Sequence, residues 1–485
     1  MRPWLQRSML ILAVFVLCWG GAIWYWRSST RMPSTGELAG SMLVLPLALL
    51  ASWWLGKTLL ARLAAPATAP ALANGAEGES GPAGNPAAPH APLHLAAAAL
   101  CMPGGDSASE LAAALLGKQQ RPALDPELTD AQGYPVMSAR VAQLDEQDQK
   151  ELLDGWLRKR PADTARGAPA HFDAEHVRAL ALGAGVLHQL MHEAAMHAAL
   201  DGYQAAQTGA RAAPALPALP TLQLHLLLPS DWDAPQRDAG AAWLHEQAQH
   251  QGWPSERLSL HLAGDSGPLA LIGQLAAQAA LQELPCLAIV LACGSHIGEL
   301  TVHDWLTRGL LFNADQPGGQ IPGEGAAGLL LADAAQAALL LADTPVLLHH
   351  ASTAVRGQSA DSRGHGDATL LAELGGKAMS AASVAPGAIA RLYADADQRA
   401  SRMIELMNNA GTLLPEIDLS NDVLSVAAAC GQSGPVATLA ALALARHEAA
   451  GNASQVLCLS NLDAFQRAAV VVGVPATAPD IPATT

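Results

Sequence analysis

Residues 222–228 read LQLHLLL, residues 258–263 read LSLHLA, and residues 286–292 read CLAIVLA. Between the first two lies APQRDAGAAWLHEQAQHQ, residues 234–251, closed by Gly252. Between the last two lies the Ala-rich PLALIGQLAAQAALQEL, residues 268–284. Short apolar runs bounded by turn residues read as buried strands, and the longer segments between them as helices. Strand, helix, strand, helix, strand is the order of a parallel sheet covered on both faces. The third run is apolar throughout, so both of its faces must be buried.

The same texture extends in both directions. Upstream, Leu93 to Cys101 reads as a buried strand and Pro103 to Ser107 as a turn. Ser107 caps a helix over Ala108 to Leu116, with Glu110 completing a capping box. Asp173 to Leu200 is a long helical stretch, and Gly325 to Ala332 a further strand. A second pass follows, with strands at Pro345 to His349, Ile389 to Tyr393, Leu424 to Ala429, Val456 to Ser460 and Ala468 to Val472. Its helices are Gln398 to Ala410 and Val436 to Glu448. The chain therefore divides into two similar α/β halves, 93–340 and 341–476, with a frayed tail at 477–485.

Ahead of this body the composition is different. Residues 1–62 hold six basic residues and one acid, whereas the whole chain of 485 residues carries 27 Lys+Arg against 43 Asp+Glu, a net charge of −16. Residues 9–26 and 38–55 are uncharged, and each would reach about 27 Å as a helix, close to a bilayer core of roughly 30 Å. Trp19, Trp24 and Trp26 mark the end of the first stretch, and Trp53 and Trp54 the end of the second, as in an interfacial belt. This predicts a transmembrane hairpin, and Arg2, Arg7, Lys57 and Arg62 outweigh Arg27 and Arg31, placing both ends in the cytoplasm. Residues 63–92, rich in Ala, Pro and Gly, form a linker that could span roughly 90 Å when extended. The acidic body excludes nucleic acid as a partner. Its cysteines, Cys101, Cys286, Cys293, Cys430 and Cys458, sit in or beside apolar runs and read as reduced core thiols. Nothing in their spacing supports zinc.

Four stretches, in order, resemble the thiolase fold of β-ketoacyl synthases. Ala98 to Ser107 is similar to that family's first strand and turn, and Gly264-Asp265-Ser266-Gly267-Pro268-Leu269 to its nucleophile elbow. Ile321-Pro322-Gly323-Glu324-Gly325-Ala326 is similar to its GEGA turn, and Cys430-Gly431-Gln432-Ser433-Gly434-Pro435-Val436 to the start of its penultimate helix. The resemblance implies a duplicated thiolase-like, ketosynthase-like body of mixed sheets covered by helices. It also implies where catalysis would sit. The elbow offers Asp265 and Ser266 instead of the family's Cys. The family's first catalytic His falls near Met407 to Thr412, where this chain has Asn408 and Asn409. The second His is matched by Gln432, which can hydrogen-bond but cannot titrate. Condensation chemistry is therefore not expected, and neither is a cofactor.

The layout of membrane segment, linker and degenerate α/β body, with Tyr393-Ala394-Asp395-Ala396-Asp397 after a strand, also resembles the accessory proteins that serve as adapters for lipase effectors of type VI secretion. That resemblance implies a membrane-anchored, non-catalytic adapter at the bacterial inner membrane, its body cytoplasmic and its partner a secreted effector. The ketosynthase resemblance adds a homodimer. Two alternatives stay open. One is a serine acyl-hydrolase or acyl-transferase using Ser266, with His261, His296 or His303 as its base. The other is a pseudoenzyme holding an acyl chain.

Other constellations carry less. Gly264 to Pro268 also matches the serine loop of trypsin-like proteases, but those are all-β. His188, His192, Glu193 and His197 share a helix, yet the spacing is one residue too long for the zinc-protease motif. His349-His350 reads as a strand end, and Gly357 to Gly366 as a surface loop. Gly375-Gly376-Lys377 lacks the upstream glycine of a phosphate loop. No metal site is expected.

Overall fold

The computed structural model describes residues 91–475 apart from 143, 145, 160–169, 208–217, 265–266, 282–284, 341–343 and 363–368. The predicted hairpin, most of the linker and the tail lie outside the described residues. Among the described residues, no helix is long and apolar enough to cross a membrane.

The first half runs β1 (Leu93–Cys101), α1 (Ala108–Leu116), the hairpin β2 (Ala123–Thr129) and β3 (Pro135–Ser138), α2 (Glu146–Lys159), α3 (Ala174–Ala195), α4 (Ala199–Gln207), β4 (Leu222–Leu227), α5 (Ala234–Gln249), β5 (Leu258–Leu262), α6 (Pro268–Ala280), β6 (Leu287–Ser295), α7 (Glu299–Thr307), β7 (Glu324–Ala332) and α8 (Ala334–Ala337). The second runs β8 (Leu347–Leu348), β9 (Ser352–Val355), α9 (Leu370–Ala382), β10 (Ile389–Ala394), α10 (Ala400–Leu413), β11 (Val423–Ser425), α11 (Val426–Cys430), α12 (Val436–Asn452), β12 (Gln455–Ser460) and β13 (Gln466–Gly473).

Hydrogen bonds order the strands β11-β10-β12-β13-β8-β1-β7-β6-β4-β5, with β9 beside β13. The short strand β8 pairs with both β1 and β13 and so joins the two halves. Within each half the crossover strands are parallel, β4 with β5 and β6, and β10 with β11 and β12. The returning strands β7 and β13 are antiparallel to β6 and β12.

Alternation along β6 explains the layering. Ala288, Val290 and Ala292 face one core, shared with α6 and α12, while Leu287, Ile289, Leu291 and Cys293 face another, shared with α3 and α5. In the second half, Val456 and Cys458 of β12 face the shared core, and Leu457 and Leu459 face α9 and α10. The layers are thus helix, sheet, helix, sheet, helix. Helix α12 lies in the middle layer and is buried from Val436 to Ala445, as a helix apolar on every side must be. Close approach is built in: a Cβ on Gly328 would meet Leu190 Cδ1 of α3 at 2.6 Å.

The structure differs from the sequence reading at several elements. Residues 424–429 are not one strand. The chain leaves β11 at Ser425 and turns into α11 over Val426–Cys430, because the run of alanines there favours helix. The long helix from 173 is interrupted after Ala195 and resumes at Ala199.

Candidate functional site

Where parallel strands end, a cleft of about 860 Å³ opens. Leu227 and Leu228 reach it from the end of β4, and Ala263 and Gly264 from the end of β5. Asp395 enters from the end of β10, and Thr353 to Val355 come from β9. The carboxyl ends of parallel strands are where open α/β sheets place ligands, since the crossovers leave a crevice there. Gly267 and Pro268 form the N-terminal end of α6 at the cleft wall, Pro268 occupying a first-turn position where no N–H is needed. Asp265 and Ser266, the sequence-predicted occupants of this turn, lie outside the described residues.

Gln432 lines the cleft and is held by its backbone. Its N–H donates to Ile321 O at 2.8 Å, and its carbonyl accepts from Gly323 N at 3.1 Å and His296 Nδ1 at 2.7 Å. The strand turn at 321–323 thereby fixes the loop before α12. The approach is so close that a Cβ on Gly323 would lie 2.3 Å from Cys430 O. Glu324 of the same turn is fully buried. It accepts from Val141 N at 2.7 Å, Arg178 Nε at 2.7 Å and Ser295 Oγ at 3.1 Å, a structural role that joins β7, β6 and α3.

Asn408 is not brought to this cleft. It is exposed on α10, in an outer layer, and neighbouring Asn409 is a buried staple whose Oδ1 accepts from Ala372 N of α9 at 2.9 Å. Asp395 lines the cleft instead and is 1% exposed. Its Oδ2 accepts from Thr438 Oγ1 at 2.8 Å and Ser460 Oγ at 2.5 Å. Its Oδ1 accepts the backbone N–H groups of Asn461 at 2.9 Å and Leu462 at 3.1 Å. Sequence reasoning quoted Asp395 only as part of a layout; its position just past a parallel strand was the signal that could have placed it here. Arg237 of α5, another lining residue, had no such signal.

Among the described residues, no cysteine or histidine side chain lines the cleft. Burial pushes the Cys293 and Cys430 thiols up to about 12 and Cys286 to about 11. Burial, with the Asp106 carboxylate beside it, pushes Cys101 to about 12. Burial also raises Cys458. None can supply a thiolate at neutral pH. His188, His192 and Glu193 are exposed on α3, whereas His197 is buried, with Nε2 at 3.2 Å from Gln336 Oε1. A different trio, Asp173, Glu175 and His176, has its ligand atoms within 4.8 Å of one another. Asp173 is the N-cap of α3, accepting from His176 N at 3.3 Å, so helix capping accounts for its place.

No protein-family description and no curated protein matches the sequence. Solved structures do match the fold. The ketosynthase from module 6 of the bacillaene synthase of Bacillus subtilis 168 is 14% identical, with a TM-score of 0.52 over 80% of this chain and 73% of its own. The module 1 ketosynthase of the bacillaene synthase of Bacillus amyloliquefaciens FZB42 is 13% identical, with a TM-score of 0.50 over 81% and 75%. Ketosynthase twelve of the bacillaene polyketide synthase of Bacillus amyloliquefaciens is 12% identical, with a TM-score of 0.50 over 80% and 74%. The body therefore has a mixed α/β, thiolase-like fold of the ketosynthase type. Identities this low establish architecture alone.

Proposed function

We propose that this protein is a non-catalytic adapter. Its body holds a protein partner, and residues 9–55 anchor it in the bacterial inner membrane with the body on the cytoplasmic side. On the resemblance of its layout, the partner is a lipase effector of type VI secretion. The observation that carries the non-catalytic reading is Asp395. Its carboxylate is the acid at the cleft floor, and both oxygens are spent on donors from α12 and the β12–β13 loop. A carboxylate so engaged cannot take up a substrate proton without breaking that loop's anchorage. Gln432 cannot titrate, and no described cysteine or histidine reaches the cleft.

The serine-hydrolase alternative draws on His296. Its Nδ1 bonds to the Gln432 carbonyl, so the ring is assigned as the Nδ1–H tautomer and Nε2 is left as a base. One experiment separates the two readings. The purified full-length chain is treated with a fluorophosphonate and, separately, with an acyl-CoA, and its intact mass is measured. In parallel, partners are cross-linked in the native cells. The adapter reading expects an unchanged mass and the same cross-linked partner with Ser266→Ala. A covalent adduct that Ser266→Ala removes would establish the hydrolase instead.

A further inference from the structure

Three side chains that line the cleft each carry a buried polar atom with no hydrogen-bond partner: Arg237 Nε, Gln432 Oε1 and Arg467 Nη2. Buried polar groups in folded proteins are paired with few exceptions, so three orphans around one cavity need an explanation. Two are guanidinium donors and one is a carboxamide acceptor.

The carboxylates of the cleft do not serve the guanidiniums. Asp395 is saturated as described, and Asp463 Oδ1 accepts the backbone N–H groups of Phe465 and Gln466, both at 2.7 Å. Arg467 is 1% exposed and binds Glu405 through Nε at 2.9 Å, but Arg356 Nη1 claims the same carboxylate at 3.0 Å. Two guanidiniums thus share one acid. Arg237, half-buried on α5, has no carboxylate partner among the described residues. The uncommitted charge of this cleft is positive, in a chain whose net charge is −16. The charge that complements it is a carboxylate.

Two more features narrow the ligand. The walls include Leu227, Leu228, Pro268, Leu269 and Leu462, so an apolar body accompanies the anion. Strand β9 forms another wall. It pairs with β13 on one side and, among the described residues, with no strand on the other. An extended chain can add to such an edge through its main chain, and terminal carboxylates are a recurrent recognition element. A cleft of about 860 Å³ is within the range that buries a short peptide segment.

We propose that the cleft binds the carboxy-terminal end of a partner protein, its terminal carboxylate on Arg237 and its last residues extended beside β9. Gln432 Oε1 then accepts an N–H from the same segment. This rests on the adapter reading and gives it a recognition chemistry.

The test uses the full-length chain in detergent micelles. Random octapeptides with free-acid ends and the same pool with amidated ends are passed over it, and retained peptides are counted by mass spectrometry. Sodium octanoate is run as a third probe. The proposal expects at least tenfold more retention of the free-acid pool. It expects Arg237→Gln to erase that preference with no change in thermal midpoint. Gly264→Trp should abolish retention, since a Cβ on Gly264 meets nothing within 4 Å and the indole would fill the cleft. Equal retention of acid and amide pools overturns the proposal, and so does retention indifferent to both substitutions. Octanoate bound while no peptide is retained also overturns it, in favour of a free carboxylic acid. A failure here leaves the adapter reading standing, because that reading is judged by the Ser266 adduct and the cross-linked partner.

Discussion

Asp395 and Glu175 are both carboxylates in this body, and their surroundings set them to opposite uses. Asp395 is ringed by four donors and staples the β12–β13 loop to α12. Glu175, in the first turn of α3, accepts at Oε1 from Thr301 Oγ1 at 2.8 Å, while its Oε2 is buried with no partner. Burial pushes the Glu175 carboxyl up to about 7 from the ordinary 4.5. A folded-state value above the unfolded one means that the native protein binds the extra proton between those limits. The stabilising contribution is therefore complete below about 4.5 and is lost as pH rises through about 7. Glu175→Gln keeps an acceptor for Thr301 and removes the charge. It should leave stability near pH 4.5 almost unchanged and raise it at pH 8 by about 2 kcal/mol. Thermal midpoints of both proteins at the two pH values measure this, and a difference independent of pH would refute the assignment.

At the scale of elements, β5 is the one that is least protected. The strand order ends at it, so its outer edge has no neighbour among the described residues. Leu258-Ser259-Leu260-His261-Leu262 carries no Lys, no acid, no Pro and no bulge, the devices that normally blunt an edge, and Leu262 is 37% exposed. We expect self-association through this edge, as the ketosynthase resemblance also implies. Light scattering should find a dimer for the full-length chain in micelles, and Leu262→Lys should weaken it at least tenfold. A monomeric wild-type protein at high micromolar concentration would remove the idea. Elements also differ in how visible they are in the sequence. Strands β4 and β6 are legible because burial on one or both faces leaves an unbroken apolar run. Strand β2 is not, because Pro126 and three acids interrupt it and only two of its residues are buried. Helix α9 carries a helical stripe at Leu371, Leu374, Ala378 and Met379, but Gly375-Gly376 hides it. Gly375 is there for packing, since a Cβ would meet Leu413 of α10 at 2.5 Å. The cleft was half legible: the 263–268 turn and Gln432 could be aligned by motif. Asp395 could not, because Thr438 and Ser460, which fix its role, lie 43 and 65 positions away.

At the scale of the whole molecule, an adapter must be held where its partner passes, and the acidic body contributes nothing to that, because anionic lipid surfaces repel it. The anchoring must come from residues 1–62, whose basic excess and paired apolar stretches contrast with everything that follows. Two spans return the chain to its starting side, so the loop at 27–37 and the carboxy terminus should face opposite compartments. A reporter active only after export, inserted at Pro33, should therefore be active, and the same reporter after Thr485 silent. Deleting residues 1–62 should move the protein from the membrane to the soluble fraction. Activity at both positions would mean that the second stretch does not cross, and the body would then sit outside the cytoplasm. Silence at Pro33 with activity at Thr485 would invert the orientation. In either case, a cytoplasmic effector awaiting export could not reach the cleft.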